Sequence, residues 1–328
     1  MTTVAEIAEH ALIERIRARL SSPSWVLVGP GDDAAVIETE RAMADVLTTD
    51  ALVENVHFDR RFCPPDAIGH KALAVNLSDL AAMGASPRAA LLSLVLPGDL
   101  PAADVDGILD GLLALAARHR VALVGGNITR SPGPLMVDVT AIGTVAPRRI
   151  LKRSGARPGD EVYVTGTIGN GAAGLQAFRA DDSLPEAQAH YLRPEPRVRA
   201  GLLLGRNRAA TACMDLSDGL ADAVRQVAAA SGVGMAIQAD ALPIEDAVRA
   251  WFVQKRADPA IAIVAAGDDY ELLFTARPNQ RGRLRAVTSH LGGLPITKIG
   301  VVTKARDLVI ETAGGKQELP SGFEHFSG

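Results

Sequence analysis

Four acidic segments hold most of the chemistry this chain can offer: Gly29-Pro30-Gly31-Asp32-Asp33, Asn76-Leu77-Ser78-Asp79, Asp215-Leu216-Ser217-Asp218-Gly219 and Gly267-Asp268-Asp269-Tyr270-Glu271. Carboxylates gathered in one site repel each other, and hard cations with oxygen ligands relieve that repulsion. If the segments converge, the expected site holds several Mg²⁺ ions and, through them, a polyphosphate.

Each segment has a plainer reading beside the chemical one. The glycines around Asp32 and Asp33 allow close backbone approach, yet a surface turn capping a helix needs the same residues, and taken alone that turn is the better account. Thr48, Thr49 and Asp50 end an apolar stretch, where strand alternation points Thr48 and Asp50 to one face and Thr49 to the other. Their oxygens suit a hard cation or an ordinary strand end equally. Asn76, Ser78 and Asp79 interrupt the apolar run from Ala72 to Ala82, and burying polar groups is costly unless they are paired. Ligation by Asp79 accounts for that cost. Ser217 or Asp218 alone would suffice to cap a following helix, so three oxygen side chains between Asp215 and Asp218 leave a surplus that ligation explains. Val124-Gly125-Gly126-Asn127 reads as a strand running into a turn, whose N–H groups would face a phosphate if the turn is more than a connection. Arg153 and Arg157 would neutralise phosphates, or else belong to a solvated surface.

The elements that must place these residues follow from periodicity. Glu6–Leu20, Asp66–Met83 and Asp104–His119 read as helices in the first half, with strands at Val26–Val28, Val46–Asp50, Leu91–Leu96, Val121–Val124 and Leu135–Val145. A boundary is expected near Pro147, giving domains 1–147 and 148–328. Beyond it, strands at Glu161–Thr165 and Ala210–Met214 alternate with helices at Gly171–Phe178, Arg197–Leu204 and Leu216–Ala230. The fold class is α/β (α+β) in both halves. A length of 328 residues suits two domains, and 48% hydrophobic with only 4% aromatic residues requires a core of aliphatic side chains and alanine.

The same numbers exclude several functions. A net charge of −4 argues against a general nucleic-acid binder. No apolar run approaches membrane-spanning length, and the charged stretch from Ala5 to Leu20 is no signal peptide. Two cysteines, Cys63 and Cys213, make no disulfide framework, so a cytoplasmic protein is expected. There is no Gly-x-x-x-x-Gly-Lys-[Ser/Thr] loop, no kinase signature set, no nucleophile elbow and no zinc-type histidine spacing. Gly166-Thr167-Ile168-Gly169-Asn170-Gly171 matches a dinucleotide fingerprint only loosely.

In order and spacing, GPGDDAAVI, TTDALVENVHF, NLSDLAAMGA, LVGGNITRS, LKRSGARPGDEVYVTGTIG, LRPEP, MDLSDGL, GDDYELLFT and GFEHF together resemble the thiamine-monophosphate kinase family, from about Gly29 to Phe326. That family sits in the superfamily of aminoimidazole ribonucleotide synthetase, with selenophosphate synthetase and a hydrogenase-maturation protein. The resemblance implies two α/β domains, the first pairing with a twofold mate through a β-barrel-like homodimer interface. It implies ATP as co-substrate, thiamine monophosphate as acceptor and several Mg²⁺ ions. Asp33, Thr48, Thr49, Asp50, Asp79, Asp215 and Asp218 match the Mg²⁺ ligands, with Asn127 at a further metal position; Asp79 and Asp218 stand closest to catalysis. Gly126, Asn127, Arg153 and Ser217 match ATP contacts, and His57, Asp268 and Phe323 match substrate contacts.

Three positions depart from the family pattern. Asn127 stands where aspartate is frequent, Asp268 where glutamate is frequent, and Phe323 where tyrosine or tryptophan is common. Two other readings stay in view: a different synthetase of the superfamily, and a non-catalytic ATP- or Mg²⁺-dependent regulator. The selenophosphate reaction is disfavoured because the first 62 residues contain no cysteine.

Overall fold

The structure, a computed structural model, describes residues 2–7 and 9–322. Its contacts divide the chain into two compact units, Met1–Leu80 with Ser86–Pro147, and Ala81–Ala85 with Arg148–Gly328.

In the first unit, helices α1 (Glu9–Arg17), α2 (Pro65–Ala82) and α3 (Ala102–His119) accompany a hairpin of β1 (Val26–Val28) and β2 (Val36–Ile37). They also accompany a four-stranded sheet of β3 (Ala44–Val53), β4 (Ser86–Pro97), β5 (Ala122–Ser131) and β6 (Met136–Val145), in the order β3-β6-β4-β5. Only β4 and β5 are parallel, and α3 is the crossover that a parallel pair needs. Glycines bring α2 and α3 into backbone contact: a Cβ at Gly69 would strike the Ile108 carbonyl, and one at Gly111 the Asp66 carbonyl. From Ala67 to Ala82, Asp79 is the one residue that is not buried. The sheet is open, and no closed barrel is present among the described residues; the β-barrel expected from the resemblance needs a second chain.

The second unit is built on a seven-stranded sheet in the order β13-β12-β9-β11-β7-β10-β8. In chain order its elements are β7 (Glu161–Thr165), α4 (Asn170–Ala180), α5 (Pro185–Leu192), α6 (Val198–Asn207), β8 (Ala212–Asp215), α7 (Leu220–Ser231) and β9 (Gly234–Gln238). They continue with α8 (Asp246–Gln254), α9 (Pro259–Val264), β10 (Leu272–Ala276), α10 (Arg281–Thr288), β11 (Ile296–Thr303), β12 (Leu308–Thr312) and β13 (Gly315–Glu318). Its core is mostly alanine, valine, leucine and isoleucine. A stacked Tyr163–Phe274 pair, 5.4 Å between centroids, is among the few aromatic contacts. Among the described residues, no helix is long and apolar enough to cross a membrane.

Several element boundaries depart from the sequence reading; β3 and β4, for example, extend beyond both expected ends, to Ala44–Val53 and Ser86–Pro97. The N-terminal helix splits into a 3₁₀ turn at Val4–Glu6 and α1. Gly125-Gly126 is not a turn: β5 runs through it, and a register shift against Ala90 and Leu91 marks a bulge there. Helix α7 starts at Leu220 rather than Leu216, because Leu216 and Ser217 are still paired to the segment before β10.

Candidate active site

The alternation expected for Thr48 to Asp50 holds in β3. On one face the Thr48 hydroxyl donates to Asp79 Oδ2 from α2, so the partly exposed carboxylate of a buried helix meets the middle of the strand, which continues to Val53. On the other face the Thr49 hydroxyl donates to Asp138 Oδ1 (3.1 Å) and lies 3.0 Å from Thr140 Oγ1, both on β6. Asp50 is opposite Val139 in the same ladder. The turn after β3 is held by His57, whose Nδ1 accepts from the Val53 N–H at 3.1 Å. A neutral His57 therefore carries its proton on Nε2. Asn76 spends its amide N–H on the Ala72 carbonyl (3.0 Å) within α2, while its Oδ1 has no partner.

A cavity of about 840 Å³ opens over the Thr49 side of the sheet. Its floor is Asp138, Thr140, Ser93 and Asn127; its walls are the Gly29–Ala35 turn and α1. Asp33, Gly126 and Asn127 line this cavity together, while Thr48, Asp50 and Asp79 belong to the other face of the strand. No helix follows Asp32 and Asp33, so a helix cap does not explain them. Gly126 is required sterically, since a Cβ would collide with the Leu92 carbonyl. Strand β5 is an edge, so past the bulge one row of its backbone groups has no strand partner. Five carboxylates line the cavity (Glu9, Glu14, Asp32, Asp33, Asp138) against one guanidinium, Arg17, which is itself engaged by Glu14 at 2.7 Å. Polyanions are repelled by such a lining unless divalent cations accompany them.

In the second unit the two remaining acidic segments are hydrogen-bonded to each other. The β8–β10 ladder continues into the loops through Leu216 N–H to Glu271 O (2.8 Å), Tyr270 N–H to Leu216 O (3.0 Å) and Asp268 N–H to Ser217 O (2.8 Å). Glycines permit the contact: a Cβ at Gly219 would strike the Ala266 carbonyl, and one at Gly267 the Ser217 carbonyl. Ser217 and Asp218 thus lie beside Asp268, with Asp215 buried at the end of β8. Gly219 is the N-cap of α7, and no side chain caps that helix. Capping therefore does not explain the surplus of oxygen side chains.

The fourth segment divides by burial. Asp268 and Tyr270 have φ of 68° and 52°, a left-handed conformation costing on the order of 1–3 kcal/mol each. Buried contacts hold it: Asp269 accepts from the N–H groups of Gly169 (2.8 Å) and Gly171 (3.1 Å), and the Tyr270 hydroxyl donates to Asp268 Oδ1 (3.1 Å). Burial raises the Asp269 carboxyl to about 7, although the two amides oppose the shift. Glu271 is also raised by burial, against the Arg197 guanidinium and the Thr165 hydroxyl that bind it. Asp269 and Glu271 are buried, whereas Asp268 is part-exposed in the loop.

Arg153 lies along α7, donating to Gln226 Oε1, and Gln226 in turn donates to Asp222 Oδ2 at 2.6 Å. On the same helix Arg225 binds the Leu319 and Pro320 carbonyls, the latter at 2.8 Å. Gly322 packs so closely that a Cβ would sit 2.8 Å from Asp222 Cβ and 3.2 Å from the Asp218 carbonyl oxygen. Phe323 lies outside the described residues. Sequence reasoning missed Asp138, Thr140 and Arg17. The polar positions on the alternating stretch from Leu135 to Val145 were the available signal for the first two.

Among the described residues, no group of three or more His, Cys, Asp or Glu side chains is arranged to hold a metal ion by itself. The donors present, carboxylate, hydroxyl and amide oxygens without thiolate, fit Mg²⁺, which takes one or two carboxylates and completes its shell with water and substrate phosphates.

Residues 31–145 match the family described as AIR synthase related protein, N-terminal domain, and residues 157–312 match its C-terminal domain. The chain is 40% identical over 302 residues to thiamine-monophosphate kinase of Salmonella typhimurium, covering 89% of each. Thiamine-monophosphate kinase from Stenotrophomonas maltophilia superposes with a TM-score of 0.83 at 39% identity, over 93% of this chain and 97% of the other. A solved structure described as AaThiL complexed with AMPPCP and TMP superposes with a TM-score of 0.78 at 32% identity, over 99% of each chain.

Proposed function

The chain belongs to the thiamine-monophosphate kinase family, and on that premise we propose that it transfers the γ-phosphoryl group of ATP directly to thiamine monophosphate. The products are ADP and thiamine diphosphate, and the step closes thiamine diphosphate synthesis. A relative's complex with AMPPCP and TMP supports this pair of substrates. The observation of this chain that carries the reading is the cavity lined by five carboxylates and one guanidinium, an arrangement suited to a polyphosphate that arrives with divalent cations.

We assign Mg²⁺ to Asp33, Thr48, Thr49, Asp50, Asp79 and Asn127 of the first unit and to Asp215 and Asp218 of the second. ATP is assigned to Gly126, Asn127, Arg153 and Ser217, and thiamine monophosphate to His57, Asp268 and Phe323. When bound, Mg²⁺ cancels the repulsion between the two polyanions and stabilises charge on the phosphoryl oxygens. The attacking group is a phosphate monoester oxygen, whose second pKa of about 6 leaves it mostly deprotonated at neutral pH, so no general base is needed. Asp79 accepts a hydrogen bond from the Thr48 hydroxyl, whose oxygen keeps its lone pairs for a cation. His57, with its proton on Nε2, is a donor for an acceptor phosphate, and Tyr270 fixes the Asp268 carboxylate that faces the substrate.

We further propose a cytoplasmic homodimer paired through the open sheet of the first unit. Leu47 of that sheet is 67% exposed and Leu27 of the β1–β2 hairpin 63%, and neither cysteine forms a disulfide among the described residues. ADP release should require thiamine monophosphate together with ATP and Mg²⁺. Turnover with an aminoimidazole ribonucleotide precursor instead, or with neither acceptor, would overturn the assignment in favour of a sister synthetase or a regulator.

A further inference from the structure

We infer that Asp138 supplies the carboxylate that Asn127 lacks, as an additional ligand for a divalent cation accompanying the nucleotide phosphates. The inference rests on the proposed kinase reading and adds a residue to its site.

The register places the two residues on one face. Ser93 of β4 is opposite Asn127 on β5 and opposite Asp138 on β6, so the three form a row across adjacent strands. Asn127 and Asp138 are two strand spacings apart, roughly 10 Å between backbones. Serine is the small residue between them, and it leaves the space above the row clear for a cation that both side chains reach. All three line the cavity that also contains Asp33.

The partners of Asp138 agree with this role. Its Oδ1 accepts from Thr49, and Oδ2 has no protein partner among the described residues. Among the described residues it makes no ion pair, and Arg17, the guanidinium of the cavity, is held by Glu14. A part-buried carboxylate facing other carboxylates, without a basic neighbour, is stabilised by a bound cation. Within this row the neutral amide stands on β5 and the charged carboxylate on β6.

The test is Mn²⁺ binding to the full chain in the presence of a non-hydrolysable ATP analogue, followed by the EPR signal of free Mn²⁺. Asp138→Asn keeps an acceptor for Thr49 and should weaken binding on the order of tenfold or more. Asn127→Asp in the Asp138→Asn background should restore it, a recovery that a purely structural role for Asp138 would not give. Unchanged Mn²⁺ affinity and stoichiometry in Asp138→Asn overturns the inference, as does a double variant that stays weak. Wild-type turnover of thiamine monophosphate, measured on the same preparation, separates the outcomes. Absent turnover falls on the proposed function, whereas full turnover with unchanged Mn²⁺ binding falls on Asp138 alone.

Discussion

Acidic residues in the two units have opposite surroundings. In the first unit, Asp33 in the Gly29–Ala35 turn and Asp138 on the open sheet line a cavity with almost no basic charge to meet them. In the second unit, Asp269 and Glu271 are buried and bound internally by backbone amides, a hydroxyl and Arg197. The first arrangement awaits charge from outside; the second spends its charge on holding a loop. Acidic sequence alone therefore does not distinguish a ligand from a brace, whereas burial and partners do.

Breaking a brace should have the largest effect. Arg197→Ala leaves Glu271, with only 1% of its side chain exposed, without its guanidinium. A loss of about 3–5 kcal/mol is expected in urea unfolding. Removing a ligand should act on rate instead. Asp79→Asn should lower turnover by on the order of 10²-fold, equivalent to about 2.7 kcal/mol, with the urea midpoint little changed. Near-normal turnover of that variant at saturating Mg²⁺ would contradict its role.

Asp269 sharpens the contrast through pH. Its folded-state pKa is raised from the ordinary 3.8 to about 7, so the native state binds more protons than the unfolded chain across that window. Stability should therefore fall as pH rises from about 4 to about 7, and Asp269→Asn should flatten the slope in pH-dependent thermal unfolding. The smallest effect belongs to Asp32, whose Oδ1 accepts the Asp33 N–H at 3.0 Å inside the turn. Asp32→Asn retains that acceptor and leaves the other four cavity carboxylates in place, so it should leave kcat and KM within about twofold.

Much of this was legible in sequence wherever local pattern decides. Helices α2 and α3 and the strand around Thr48–Asp50 follow from apolar periodicity, and alternation separated Thr49 from Thr48 and Asp50 correctly. What stayed hidden depends on partners far along the chain. Gly125-Gly126 looks like a turn because glycine marks turns and bulges alike, and only pairing with β4 decides between them. The start of α7 shifted because Leu216 bonds a segment more than fifty residues away. Asp269 and Glu271 resemble Asp268 in sequence, and their bracing role appears only through Gly169 and Arg197. Asp138 escaped notice because a polar residue on an alternating strand ordinarily faces solvent.

The most direct test of the central claim is ³¹P NMR of the full chain with ATP, thiamine monophosphate and Mg²⁺. The account predicts that the monoester resonance is replaced by the coupled pair of thiamine diphosphate, in step with ADP and without inorganic phosphate. ATP loss into inorganic phosphate, with the thiamine monophosphate signal unchanged, would contradict it.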